Sequence, residues 1–223
     1  MNEELIHCLW LSACFLALFG IGELLYHVFK VQAEFTRKWS HIGTGILTML
    51  FPVFFNSHWY VLIMCSSFAV LLVLSVKYGF LKSINAVERE TVGSVCYPIS
   101  VYIAFIAYSI KGDILTFYFP ILILAIADPM AAFVGKTWTW KPYHIFGQQK
   151  SLSGSLAFAV TAFAVVFSLV YPYLVFIDFR ASTLIILVGL SLWSALVEAA
   201  SSKGWDNLTI PLGVLAYLLC FPF

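Results

Sequence analysis

Asp128 stands inside a nearly continuous apolar run that extends from Thr116 to Val134, and Pro129 follows it at once. A carboxylate at membrane depth costs roughly 2.5–3.5 kcal/mol on insertion scales, so one kept there marks a functional position. Proline removes a backbone donor and disfavours helix at the residue before it. This predicts a kink or a stop at Asp128, with backbone carbonyls freed beside the carboxylate. Irregular backbone at that depth is tolerated only where protein or water covers it. Gly135, Lys136, Lys141 and Lys150 come next, and Lys150-Ser-Leu-Ser-Gly-Ser155 opens another apolar run. The pattern reads as an acidic metal corner beside a basic, small-residue anion pocket. The plainer reading is a kinked helix and an ordinary basic loop.

Three further clusters carry compatible chemistry. In Arg37-Lys38-Trp39-Ser40-His41, the imidazole lies one helical turn from both cations, so all three can face one pocket. Arg offers a two-pronged fork to phosphate and Lys a point charge. Gly43 and Gly45 permit close approach of another helix or a ligand. A basic pair that snorkels at a helix start is the commoner use of such residues. Ser151 or Ser153 can cap the helix after Lys150, and a helix N-terminus next to a cation favours an anion such as a nucleotide phosphate. The P-loop pattern GxxxxGK[ST] is absent. Glu198 and then Asp206-Asn207-Leu-Thr-Ile-Pro211 provide carboxylates and an amide oxygen. These are hard donors suited to Mg²⁺, although a turn and a helix cap would use the same residues. Glu23 and His27, four apart, read as a local pair. The five cysteines have no metal-ligand spacing and read as packing residues.

The elements that must position these groups are membrane helices. The 223-residue chain is 62% hydrophobic and 10% charged, far from the quarter expected of a soluble domain. It has no polar stretch long enough to hold a soluble domain and none of the alternating strands of a barrel. The expected fold is all-α, a single polytopic transmembrane bundle over residues 1–223. About eight spans are expected, near 5–29, 41–55, 59–76, 95–110, 114–135, 153–175, 182–200 and 209–222. The first run has Glu3 and Glu4 ahead of it and no clear cleavage site, so it reads as a retained helix. With eight spans, ten Lys and Arg fall in loops on one side, and only Lys111 and Arg180 on the other. The positive-inside rule then places both termini outside and the basic loops in the cytoplasm. Arg37–His41, Glu88–Gly93, Asp128–Ser155 and Glu198–Pro211 all come to that one side. A net charge of +1 gives no sign of a nucleic-acid partner.

Taken together, the clusters resemble the family of CTP-dependent lipid-alcohol kinases, which includes dolichol, phytol and farnesol kinases and the fungal CTP-dependent diacylglycerol kinase. The likeness covers about residues 37–211. It rests on Arg37, Lys38 and His41; on Asp128, Ala131 and Gly135; on Lys150, Ser151, Gly154 and Ser155; and on Glu198, Asp206, Asn207, Thr209 and Pro211. The family often has glycine beside the aspartate, where this chain has Ala127 and Pro129. The resemblance implies CTP and Mg²⁺ as partners and a membrane lipid alcohol as acceptor. In it, Asp128, Arg37, Lys38 and His41 would be catalytic. Lys150, Ser151, Gly154, Ser155, Gly135, Lys136 and Asn207 would bind nucleotide, and Asp128, Glu198 and Asp206 would hold metal. The alternatives are a cytidylyltransferase that makes a CDP-lipid and, in another class, a proton-coupled transporter. The one-sided polar groups and the missing internal repeat weigh against a transporter.

Overall fold

The structure is a computed structural model of the chain, and residues 3–86, 92–174 and 181–221 are described. Glu88 to Thr91 of the expected polar clusters lie outside these residues, as does Arg180 of the topology count.

Among the described residues, eight helical rods run alternately between two ends of a bundle. The first is α1 (Glu3–His27), followed by α2 (Ala33–Thr48), which the short α3 (Phe51–Phe54) extends. Next come α4 (His58–Tyr78), the short α5 (Lys82–Asn85) and α6 (Gly93–Lys111). A compound rod consists of α7 (Leu115–Leu122), a π-helical turn (Ile123–Ala127) and α8 (Asp128–Thr137). A hairpin of β1 (Pro142–Ile145) and β2 (Gln148–Ser151) leads to α9 (Leu152–Leu174), α10 (Ala181–Ala200) and α11 (Asp206–Cys220).

Six of these rods are long and apolar enough to cross a membrane: α1, α4, α6, the compound rod, α9 and α10. The chain is therefore a multi-pass membrane protein, as its composition predicts. The other two expected spans, α2 and α11, are shorter, with 16 and 15 residues. At 1.5 Å per residue α2 covers about 24 Å, less than the ~30 Å hydrocarbon core. Its buried residues are Thr36, Ser40, Gly45 and Thr48, a small, largely polar inner face, while Phe35, Trp39 and Ile46 are exposed on its other side. It also starts eight residues before His41, which puts Arg37 and Lys38 on the helix rather than ahead of it.

Packing follows the helical period. On α1 the buried residues Cys8, Leu11, Phe15, Phe19 and Gly22 recur at intervals of three and four, while Leu9, Trp10 and Leu16 face outward. Two apolar clusters form the core. One joins the compound rod to α9, α10 and α11 through Phe119, Ile123, Phe158, Val166 and Leu187. The other joins α1, α3, α4 and α6 through Leu11, Phe51, Phe55, Met64 and Phe105. Gly45 lets α2 lie against the π turn, because a Cβ there would sit 2.3 Å from the Ala125 Cβ.

The hairpin lies in what reads from sequence as a plain basic loop. Its two-residue turn, Phe146-Gly147, has positive φ at both positions (48° and 73°), the backbone that matches the twist of paired strands.

Candidate active site

The chain does not stop at Asp128, contrary to the expected break. Asp128 keeps right-handed helical geometry (φ −63°, ψ −49°), and the helix absorbs the proline through the π turn just before it. In π register the Leu124 carbonyl would pair with the nitrogen of residue 129, which as proline carries no hydrogen. His41 Nε2 lies 3.2 Å from that carbonyl. A carbonyl only accepts, so Nε2 is the donor and carries the proton. His41 thus binds α2 to the irregular turn that carries Asp128.

Asp128 lines a cavity of ≈ 1000 Å³ whose wall combines a charged and polar set with an apolar set. The polar end is formed by Arg37, Lys38, His41, Asp128, Asp206 and Asn207, with Lys203 from the loop after α10. The apolar end is lined by Phe15 and Phe19 of α1, Phe51 of α3, Met64, Phe68 and Leu72 of α4, and Val101 of α6. Arg37 Nε is buried without a hydrogen-bond partner among the described residues, so the polar end holds a donor that an anion can satisfy. The charges of Asp206, Glu198, Arg37 and Lys150 all act on Asp128.

Two helices carry a proline in their second turn near this site. Pro98 of α6 and Pro211 of α11 leave the carbonyls of Ser94 and Asn207 without their usual donor four residues on, as Pro129 leaves Leu124 without its π-register donor five residues on. Ser94 and Asn207 both line the cavity. Asn207 also donates to the Gly93 carbonyl at 2.9 Å and so ties α11 to the start of α6. Asp206 opens α11, where the helix dipole favours its negative charge, and one of its oxygens accepts the Asn207 N–H at 2.9 Å.

The remaining expected residues lie outside the cavity wall. Lys150 Nζ meets Glu198 Oε1 at 2.6 Å, and the two side chains keep only 14% and 10% of their exposure. Lys150 also donates to the Glu198 carbonyl, so it clamps the hairpin to the end of α10. Gly135 and Gly154 pack on one another where α8 crosses α9, with a built Cβ on Gly135 3.5 Å from the Gly154 Cα. Ser151 accepts the Gly154 N–H at 3.2 Å and caps α9, and Ser155 hydrogen-bonds the Tyr143 hydroxyl at 2.7 Å. Lys136 pairs with Glu34 of α2, and this hydrogen bond holds the Glu34 carboxyl below its ordinary range. These residues join α8, the hairpin, α9 and α10 into a collar around the polar end. Glu23 accepts the Ser83 N–H at 2.8 Å as well as pairing with His27, which anchors α5 to the same end.

Sequence reasoning passed over Tyr97, Lys203 and Gln148, all of which line the cavity. The Tyr97 hydroxyl is 3.4 Å from the Thr48 hydroxyl, and its ring lies 5.8 Å from that of His41. The signal for Tyr97 was slight: a tyrosine one residue before Pro98, among many aromatics. Gln148 is brought in by the hairpin turn, which brings the strand start over the cavity mouth.

The donor set can be tested against a metal. Among the described residues no three His, Cys, Asp or Glu side chains gather into a site of their own. Asp128 and Asp206 line the same cavity, with cations around them. That fits Mg²⁺, which takes one or two carboxylates and completes its shell with phosphate oxygens and water. Glu198, engaged by Lys150, borders this pair without lining the cavity.

No family profile matches the chain, and no solved structure matches it. Among curated proteins it is similar to phytol kinase of Synechocystis sp., with 32% identity over 193 residues, covering 86% of this chain and 81% of that protein. The chain belongs to the lipid-alcohol kinase family that phytol kinase represents.

Proposed function

We propose that the protein transfers the terminal phosphate of CTP to the hydroxyl of a membrane isoprenoid alcohol, with Mg²⁺ as cofactor. The observation that carries this reading is the cavity itself, whose wall brings Asp128, Arg37, Lys38 and Lys203 together with a set of apolar side chains. The relative's substrate class points the same way, and the nucleotide rests on the family resemblance of the motifs.

In this reading the alcohol lies with its tail in the apolar end and its oxygen beside Asp128. The oxygen attacks the terminal phosphorus in line. The bond from that phosphorus to the bridging oxygen breaks, and the leaving nucleoside diphosphate takes the electron pair. The Asp128 carboxylate accepts the hydroxyl proton, which is the general-base role that its place in the cavity allows. Arg37, Lys38 and Lys203 hold the phosphate oxygens and balance the charge that spreads over them during transfer. Mg²⁺, when bound by Asp128 and Asp206 together with phosphate oxygens, would supply further neutralisation of that charge. His41 acts as a positioning residue, because its bond to the Leu124 carbonyl sets the turn that aims Asp128. Lys150 and Glu198 act on the reaction through the collar.

CTP labelled at the terminal or the innermost phosphate separates this reaction from CDP-lipid synthesis. With purified protein, Mg²⁺ and a mixed isoprenoid alcohol extract, terminal label is expected in the organic phase. Innermost label there would instead mean cytidylyl transfer. Label in neither, beside an active control enzyme, would reject both.

The polar end of the bundle is expected to face the cytoplasm. In a background without the five native cysteines, a single cysteine at position 203 should resist an impermeant thiol reagent added to intact cells, and one at position 111 should react. The reverse pattern would invert the orientation.

A further inference from the structure

Packed core backs part of the apolar wall of the cavity. Phe51, Met64 and Val101 line it and are almost fully buried, with 3%, 1% and 2% exposure. Leu11, Phe55, Val61, Ala104 and Phe105 belong to the same apolar cluster but do not line the cavity, and all are buried at 1% or less. The chamber therefore ends against a solid layer drawn from α1, α3, α4 and α6. The closed end faces the polar end along α2, whose Arg37 and Thr48 both line the cavity. Eleven residues of helix separate those two positions, a rise of about 16 Å. The ≈ 1000 Å³ volume includes both ends. It lies at the upper limit for pockets that enclose one drug-sized ligand.

We propose that this layer is a chain-length gauge: Phe51, Met64 and Val101 set the longest isoprenoid tail that can be enclosed while the hydroxyl reaches Asp128. The proposal rests on the reading that the alcohol binds in this cavity. A chamber with a floor selects by length, because each methylene that fits is buried and each one beyond the floor must fold back or displace core side chains. Burial of one further methylene is worth roughly fourfold in affinity, so the end of the chamber is expected as a sharp break in an otherwise steep trend. A single-chain alcohol of limited length suits the space. A polyprenol of many units, or a glycerolipid with two acyl chains, does not fit inside it.

The gauge is tested by binding, which does not depend on the nucleotide or on turnover. Purified protein in detergent is titrated with geraniol, farnesol, geranylgeraniol and a long polyprenol, and affinity is followed by displacement of a fluorescent prenol. Wild type should bind more tightly with each added unit up to a limiting length and then lose at least about tenfold at the next, a loss equivalent to less than two buried methylenes. Met64→Ala should move the break to a longer alcohol, and Val101→Leu should move it to a shorter one. Phe51→Ala gives a second deepening variant should Met64→Ala fail to fold. A break at the same length in wild type and in every folded variant would overturn the gauge, as would affinity that keeps rising to the polyprenol in wild type. Parallel turnover assays with labelled CTP keep the two readings apart. A break that moves without phosphorylation supports the gauge and counts against the kinase reaction. Phosphorylation with a break that does not move has the opposite meaning.

Discussion

Asp128→Asn is expected to lower kcat/KM for alcohol phosphorylation by at least about 10²–10³-fold, the range for loss of one preorganised electrostatic group at a reacting centre. The expectation follows from its place. Asp128 is carried on a rod whose π turn and proline are held by His41, and it faces a cavity shared with Arg37, Lys38 and Asp206. Asparagine keeps the shape but removes the negative charge, and so removes the base and weakens the metal ligand to a neutral amide oxygen. Folding should survive, because a neutral amide is easier to bury than a carboxylate. The check is a comparison of turnover with thermal unfolding and detergent-extracted yield. A folded Asp128→Asn protein with wild-type kcat/KM would exclude Asp128 from the chemistry. His41→Ala offers a contrast. As a positioning residue it should reduce kcat less than Asp128→Asn does, and His41→Gln, whose amide can still donate to the Leu124 carbonyl, should recover part of the loss.

The largest stability effect is expected from Glu198→Ala. Glu198 Oε1 is the carboxylate partner of Lys150, and both side chains are nearly buried. Removing one partner of a buried ion pair costs about 3–5 kcal/mol, because the other charge stays desolvated and uncompensated. The Lys150 bond to the Glu198 backbone carbonyl survives the substitution, which puts the expected loss toward the lower end of that range. The measurement is thermal or denaturant unfolding of the detergent-solubilised protein. Lys150→Met combined with Glu198→Leu should recover much of the loss, since replacing both ions with apolar groups is often neutral. If Glu198→Ala unfolds like wild type, the pair does not hold the hairpin to α10. If the double variant is stable yet inactive, the two charges also act on the reaction through Asp128, on which both exert a field.

What could be read from the amino acids alone is explained by the cost of polar groups in an apolar chain. In a sequence that is 10% charged, each carboxylate or cation within an apolar run stands out, because it must be paired, solvated or used. Asp128 was legible for that reason, Arg37, Lys38, Asp206 and Asn207 as polar clusters at the ends of apolar runs, and all five line the cavity. The helix period and the alternation of apolar runs also predicted an all-α bundle with the polar clusters at one end. The contacts between Lys136 and Glu34, Lys150 and Glu198, and Asn207 and Gly93 gather there.

Only the tertiary structure decided which polar residues face the cavity and which hold the scaffold. Lys150 and Glu198 are 48 positions apart, so their pairing follows from how α10 and the hairpin pack, and no local pattern announces it. Gly135 and Gly154 looked like room for a ligand, yet they make room for each other. The proline after Asp128 signalled irregular backbone correctly in kind. Whether the helix would break or shift into a π turn depended on a donor 83 residues away, His41, being placed to take the Leu124 carbonyl. The apolar chamber left no trace in the sequence at all. Phe15, Met64 and Val101 have the same character as the phenylalanines and valines that fill the core, and a cavity is a property of the space between helices whose neighbours are chosen by non-local packing.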